Sequence, residues 1–293
     1  MEEQLTPPGA RPKQPVKVFI EGHYRKHSRD LPQTVFFCPD CKGHPRRRRG
    51  CARCEGFGKL TRDSVQELIG WVVGAAFKTR KNKFHGAGRE DVNVRMLGGG
   101  RPFVMEIVAP KVHDVDLAAV EAEINRRNPG RLEVVGLHWT EKTRVRVVKE
   151  GKHAKEYRAL VAVTGAFDLA AVQKLVGKRV ALVQHTPERV AHRRADLDRE
   201  RWIEFLAVEL ADPSPEGEAR LEVRLRTQHG TYVKEAISGE AGSTRPSLSE
   251  WIGATCACVE LDVTQILDEE GGEEKSAPAR PAPAPTWASN LED

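Results

Sequence analysis

Four cysteines stand in the order 38-CPDCKGHPRRRRGCARC-54, a spacing of C-x2-C-x9-C-x2-C. Two CxxC pairs flanking a glycine-bearing basic loop can close four thiolates, Cys38, Cys41, Cys51 and Cys54, around one tetrahedral Zn²⁺. Paired disulfides are the competing chemistry, and a chain without a secretion signal disfavours them. With all four positions filled by protein, no place remains for a catalytic water, so the expected metal is structural. His44 reads as a bystander inside the loop. The run 46-RRRR-49 at its tip is either a solvated charge run or a phosphate contact held on a rigid knuckle. Cys256 and Cys258, in 254-ATCACVELDV-263, have strand-like spacing among apolar residues and read as core or edge thiols.

A second candidate centre is 84-FHGAGREDVNVRMLGGGRPF-103, where an Arg-Glu-Asp triplet sits between glycine-rich turns. No run in it looks long enough for a core helix or strand. It is either a solvated connector or a rigid loop that presents a carboxylate. Glu90 and Asp91 compete for that role, but neighbouring side chains on an extended segment point apart, so only one can face a substrate. A basic segment, 184-QHTPERVAHRRADLDRERW-202, carries five arginines and two histidines and suits contact with an RNA backbone. Tyr157 opens a strand-like run, and Tyr232 and Lys234 follow a Gly-Thr turn. Taken alone, either tyrosine reads as a core or edge residue.

The chain that must position these groups has 293 residues, 39% of them hydrophobic, with a formal net charge of +5. That composition suits a soluble protein with a real core, and the clustering of its arginines says more than the total charge. No window approaches ~18 consecutive apolar residues, and MEEQLTPPGARPKQP lacks the apolar stretch of a secretion signal, so the chain reads as cytoplasmic. Four segments are expected: a disordered N-terminus over 1–15, a zinc ribbon over 16–64, a longer mixed domain over 65–267, which the resemblance below makes catalytic, and a disordered acidic, Pro/Ala-rich tail over 268–293. Helices are expected at 64-SVQELIGWVVGAAFKT-79, with Ser64 as N-cap and Glu67 completing a capping box, at 115-VDLAAVEAEINRRNPG-130 and at 168-DLAAVQKLVG-177. Strands are expected over 103–110, 131–139, 144–150, 155–165, 202–211 and 219–230. Strands outnumber helices without a regular βαβ rhythm. This favours an α+β fold on a central mixed or antiparallel sheet.

The stretches GREDVNVRMLGGGRPF, KEYRALV, QHTPERVAHRRADL and GTYVKEAISGEAGSTRPS, in that order, resemble the catalytic domain of the tRNA pseudouridine synthases that modify uridines 54 and 55 of the TΨC arm. Members also carry a CxxC…CxxC zinc element upstream, and 27-HSRDLPQT-34 is similar to its approach. The resemblance runs from about residue 18 to 267. It implies isomerisation of uridine to pseudouridine in tRNA, at position 54, 55 or both, with no organic cofactor. Asp91 matches the family's catalytic aspartate, which acts as nucleophile or as electrostatic partner of an oxocarbenium-like centre. Lys234 matches the basic residue that ion-pairs with it. Tyr157 matches the tyrosine that stacks on the extruded uracil, and Tyr232 the second uracil-side tyrosine. Arg89 would fill the gap left by the flipped nucleotide or hold a phosphate, and Arg193 and Arg194 would hold the tRNA backbone. Glu90 is expected to face away from the uridine.

The sequence departs from the family pattern in three places. Members usually carry an RNA-binding THUMP region before the zinc segment, for which the residues before Cys38 are expected to leave no room, and this raises the expectation of a separate RNA-binding partner; Asn93 replaces an aspartate, and His185 an arginine. A non-catalytic tRNA-binding protein or chaperone on the same fold is the rival reading, which the joint presence of Asp91, Tyr157 and Lys234 disfavours. An NTP-dependent enzyme lacks its phosphate-binding motif, since Gly98, Gly99 and Gly100 lead into Arg-Pro and not into a helix. The metal is directly testable: freshly reduced protein should carry about one zinc per chain by elemental analysis. Metal-free protein would contradict the four-thiolate reading.

Overall fold

The computed structural model describes residues 15–191 and 194–267. The ends expected to be disordered, 1–15 and 268–293, lie outside the described residues except for Pro15, and so does Arg193. In chain order the elements are β1 (Lys17–Lys26), α1 (Pro45–Arg48), α2 (Val65–Ala76), β2 (Asn82–Gly86), β3 (Val94–Val108), α3 (Leu117–Arg127), β4 (Leu132–Thr140), α4 (Lys142–Glu150), β5 (Lys155–Thr164) and α5 (Leu169–Gln173). They continue with β6 (Arg179–Gln184), α6 (Glu188–Ala191), β7 (Arg199–Ala211), β8 (Ala219–Thr227), α7 (Val233–Ser238), β9 (Thr244–Arg245), α8 (Leu248–Ile252) and β10 (Thr255–Ile266). Among the described residues no helix is long and apolar enough to cross a membrane.

The strands form one sheet in the order β4-β1-β3-β10-β5-β8-β7-β6-β9, with β2 paired to β3 off this path. Only the β10–β3 pairing is parallel, so the fold is α+β on a mixed sheet. On one face, β1 presents Ile20 and Tyr24 and β3 presents Phe103, Met105 and Ile107 to α2 and α3, in the main hydrophobic core. On the other face, Phe19 and Val104 meet Val148 and Val145 of α4. β1 lies between β4 and β3, so the sheet recruits residues 17–26 before the cysteine-bearing excursion begins.

Three local expectations are corrected. Residues 144–150 are helical, not extended: Val145 and Val148, three apart, share the packed face, while Val147 is 54% exposed. The alternation of valine with charge imitated a strand. At α2, Ser64 Oγ accepts from the Glu67 amide at 3.3 Å, but Glu67 takes the Ser64 hydroxyl at 2.8 Å and not its backbone N–H, so the capping box is incomplete. The stretch 84–103 contains most of two strands. β3 continues through the triple glycine with a bulge, and its two halves have different neighbours.

That change of neighbours positions the Arg-Glu-Asp loop. The half Phe103–Ile107 pairs with β2, whereas Val94–Met96 pairs with β10. Between them the chain bulges against β1, where the register jumps from Tyr24↔Arg101 to Lys26↔Met96. Gly98 (φ +57°) and Gly100 (φ +84°) supply the left-handed turns of the bulge. Residues 87–93 therefore cross the notch where β10 replaces β2. The parallel pair is locked by Asp262, buried on β10, which accepts Arg95 Nε at 2.8 Å and Nη2 at 2.6 Å. Arg29 adds bonds to the carbonyls of Asn93 (3.1 Å) and Leu261 (3.0 Å).

A Cβ on Gly98 would lie 1.9 Å from the Thr264 carbonyl oxygen. Gly98→Ala should therefore lower stability by more than ~2 kcal/mol. Gly136→Ala, at φ +69° in open space, should cost only about 1 kcal/mol. Denaturant unfolding that gave the two variants equal stability would contradict this account of the bulge.

Candidate active site and metal centre

The loop 87–93 is held from beneath by buried ionic groups. Glu90 is turned inward, with its side chain 1% exposed, and lies 2.8 Å from Arg101 Nε, off the N–H axis but at ion-pair distance. Tyr24 Oη donates to the same carboxylate at 2.9 Å. Arg101 in turn donates from Nη1 to the Ala87 carbonyl at 2.6 Å, and Gln33 donates to the Gly88 carbonyl at 3.0 Å. Lys26, 0% exposed, donates to the carbonyls of Leu31 (2.8 Å), Val92 (2.9 Å) and Asp91 itself (3.0 Å). Burial pulls the Lys26 ammonium down to about 8, opposed by Glu90 3.9 Å away. Burial also pushes the Tyr24 phenol well up, with Glu90 adding to it, so Tyr24 is a neutral donor. The carbonyls of Ala87, Gly88, Asp91 and Val92 thus have fixed partners.

Asp91 faces the opposite way, into a cleft of about 500 Å³. Lys234 Nζ lies 3.1 Å from its Oδ2 and 3.1 Å from Asn93 Oδ1. Arg189 Nη1 lies 3.0 Å from Oδ2 and 3.2 Å from Oδ1. The other edge of that guanidinium is held by Glu235, with Nε to Oε1 at 2.5 Å and Nη2 to Oε2 at 3.2 Å. Arg189 also lies over the Tyr232 ring, 5.8 Å from its centroid. Gln184, fully buried at the end of β6, clamps the Tyr232 backbone by accepting from its N–H at 2.8 Å and donating to its carbonyl at 2.9 Å. This clamp sets the start of α7, and α7 brings Lys234 and Glu235 to the cleft.

Tyr157 and Lys155 project from the same side of β5 into the cleft wall. Burial, opposed in part by the Arg101 cation, moves the Tyr157 phenol up to about 12. Burial and Arg101 together pull Lys155 down to about 8. Arg89, Arg194, Arg199 and Arg201 complete a strongly basic rim. His229, pulled down by burial and by the cations Lys155 and Arg201, is neutral at pH 7. The arrangement is a cation-lined cleft around one ionised, ion-paired carboxylate. It can receive a polyanion and present it with a nucleophile.

The cysteine element is compact. The Sγ atoms of Cys38, Cys41, Cys51 and Cys54 all lie within 4.8 Å of one another, with Cys38···Cys51 at 3.7 Å and Cys41···Cys54 at 3.6 Å. Four sulfurs at about 2.3 Å around one tetrahedral ion would be about 3.8 Å apart, so this cluster could hold a metal ion. The Gly58 amide donates to Cys54 Sγ at 3.1 Å, a bond that favours a thiolate. His44 is not among the ligand atoms; its Nδ1 accepts from the Arg46 amide at 3.3 Å. The arginines at 46–49 are exposed.

Asp91, Lys234, Tyr157, Tyr232, Arg89 and Arg194 thus converge on one cleft, while Arg193 lies outside the described residues. The sequence reading missed Arg189, Glu235, Gln184, Lys155 and Arg101. Arg189 had a visible signal, as an arginine inside the basic segment, but was read only as part of an RNA-backbone contact. Buried Lys26 and Arg101 had none.

An α+β domain with one clamped aspartate in a basic cleft defines the class of protein. Residues 19–267 match the family described as "Pus10, C-terminal", and the chain belongs to that family. It is 42% identical over 259 residues to a Methanopyrus kandleri protein named tRNA pseudouridine synthase Pus10, covering 87% of this chain and 57% of that one. It is 44% identical over 254 residues to the protein of the same name from Methanothermobacter marburgensis, covering 85% and 60%. The chain therefore spans little more than half the length of these curated relatives. Among solved structures, one titled "Crystal Structure of a Cbf5-Nop10-Gar1 Complex" is similar at 17% identity and a TM-score of 0.38, covering 69% of this chain and 45% of that one. The family resemblance drawn from the motifs holds.

Glu90→Gln tests the platform under Asp91. The substitution leaves Arg101 and Lys26 buried without their carboxylate, which costs about 3–5 kcal/mol, so the melting temperature should fall by about 5 °C or more. An unchanged melting temperature would show that the buried cluster does not hold the loop.

Proposed function

We propose that this chain carries the catalytic unit of a tRNA pseudouridine synthase, which isomerises uridine at position 54, 55 or both of the TΨC arm. The observation that carries this reading is Asp91, clamped by Lys234 and Arg189 at the centre of a basic cleft, in a chain of the Pus10 family. The names of the curated relatives supply the reaction class.

Uridine and pseudouridine are isomers, so the reaction consumes nothing and needs no organic cofactor. The target nucleotide leaves the stack and enters the cleft. Asp91 attacks C1′ of the ribose, or stabilises the positive charge developing there, as the C1′–N1 bond breaks. The freed uracil turns and bonds to C1′ through C5, which releases the Asp91 carboxylate wherever it had bonded to C1′; the proton on C5 then leaves and N1 takes one up, so no net proton is consumed. Lys234 keeps the carboxylate ionised and oriented. Arg189 covers both carboxylate oxygens in the resting arrangement, so it yields one of them as C1′ approaches, and Glu235 keeps the displaced guanidinium at hand. Tyr157 stacks on the extruded base, and its phenol, neutral at rest, helps to move the proton that leaves C5. Tyr232 closes the other side of the uracil. Arg89 occupies the gap in the stack or holds a phosphate, and Arg193 and Arg194 bind the backbone. Zn²⁺ held by Cys38, Cys41, Cys51 and Cys54 stiffens the arginine-bearing knuckle and has no part in the chemistry.

Asp91→Asn should abolish pseudouridine formation on a tRNA transcript while leaving binding intact or slightly tighter. Tyr157→Phe, which keeps the stacking ring, should reduce turnover less. Wild-type turnover in Asp91→Asn would overturn the assignment. Tight binding without any turnover in the unmodified protein would favour a tRNA-binding role.

A further inference from the structure

A groove of about 990 Å³ shares no residue with the cleft around Asp91. It runs along α2 and the segment 78–82, with Trp71, Lys78, Arg80, Lys81 and Lys111 on its walls. Trp71 is 55% exposed. Its ring is left uncovered because the residues three and four positions on are Gly74 and Ala75. Lys78, Arg80, Lys81 and Lys111 are exposed, and none forms an ion pair with a carboxylate among the described residues. The one acid of the groove, Glu67, is held by Lys59 at 2.6 Å.

We infer that this groove is a second RNA-binding site, which takes phosphates along Lys78, Arg80 and Lys81 and stacks one unpaired base on Trp71. The inference rests on the proposed action on tRNA and adds a second contact for the same substrate. Exposed tryptophan beside unpaired cations matches the chemistry of single-stranded RNA, whose bases stack on aromatic rings while its backbone seeks positive charge. A protein partner fits less well, because lysine is depleted from protein–protein interfaces. The groove is also placed to share a ligand with the cleft. At one end, Glu67 meets Lys59 of the cysteine element. At the other, Asn82 opens β2, which leads into the loop of Asp91. The chain from 82 to 91 spans at most about 30 Å, so one structured RNA can occupy both.

The test uses the full chain, an unmodified tRNA transcript and three variants. Trp71→Ala should weaken tRNA binding by about 5–10-fold, and Trp71→Phe, which keeps a stacking face, should lose much less. The combined Lys78→Ala, Arg80→Ala and Lys81→Ala variant should reduce the slope of log affinity against log salt by about 2. In turnover assays the loss should appear in KM, with kcat within twofold of the unmodified chain. Unchanged affinity and salt slope in all variants would overturn the inference and assign the groove to a protein contact. If the variants lose RNA affinity but the unmodified chain makes no pseudouridine, the groove stands and the catalytic reading falls.

Discussion

The buried carboxylate of Glu90 is the interaction on which the site depends. It is the one acid facing two buried cations, Arg101 and Lys26, beneath a loop with no regular structure of its own. Placing three charges in a low-dielectric interior is costly unless each finds partners, and here the partners are the loop's own backbone and its flanks. Arg101 holds Ala87, and Lys26 holds Asp91 and Val92 by their carbonyls. The loop therefore cannot shift without leaving a buried charge uncompensated. Glu90 faces down and Asp91 faces up, so one of two adjacent carboxylates organises the platform and the other is displayed on it.

The sheet makes room for that platform. A regular β2–β3 hairpin would close with a short turn and leave no space for the loop that carries Asp91. Changing the neighbour of β3 from β2 to β10 opens a notch, and the glycine bulge at 98–100 allows the change without breaking β3. Asp262 then holds the parallel pair together through Arg95 and Arg29. From the far side of the notch, Gln184 and Glu235 fix Tyr232 and Arg189 over the carboxylate. Sheet edges and helix ends thus deliver groups from distant parts of the sequence to one carboxylate.

The legibility of these features followed the range of the forces involved. The cysteine cluster was readable because its four ligands lie within one short loop and their spacing reflects the geometry of one ion. Asp91, Lys234, Tyr157 and Tyr232 were readable because whole motifs surround them. The helix at 142–150 was misread because alternating valine and charge satisfies a strand pattern as well as a helical one, and only packing on Phe19 and Val104 decides between them. Lys26 and Arg101 gave no signal: both sit in strands where a charged residue normally faces water, and Lys26 finds its partner Asp91 65 residues along the chain, while Arg101 turns back onto Glu90 across the bulge. Arg189 looked like one cation among many until the fold brought it 3.0 Å from Asp91.

The role proposed for the displayed Asp91 is to move a uracil from N1 to C5 attachment on ribose. That rearrangement must expel the hydrogen on C5. Incubating the purified chain with a tRNA transcript whose uridines carry tritium at C5 measures this directly. The account predicts release of about one tritium per target uridine into water, with no added cofactor. Folded protein that binds the transcript and releases no tritium would contradict it.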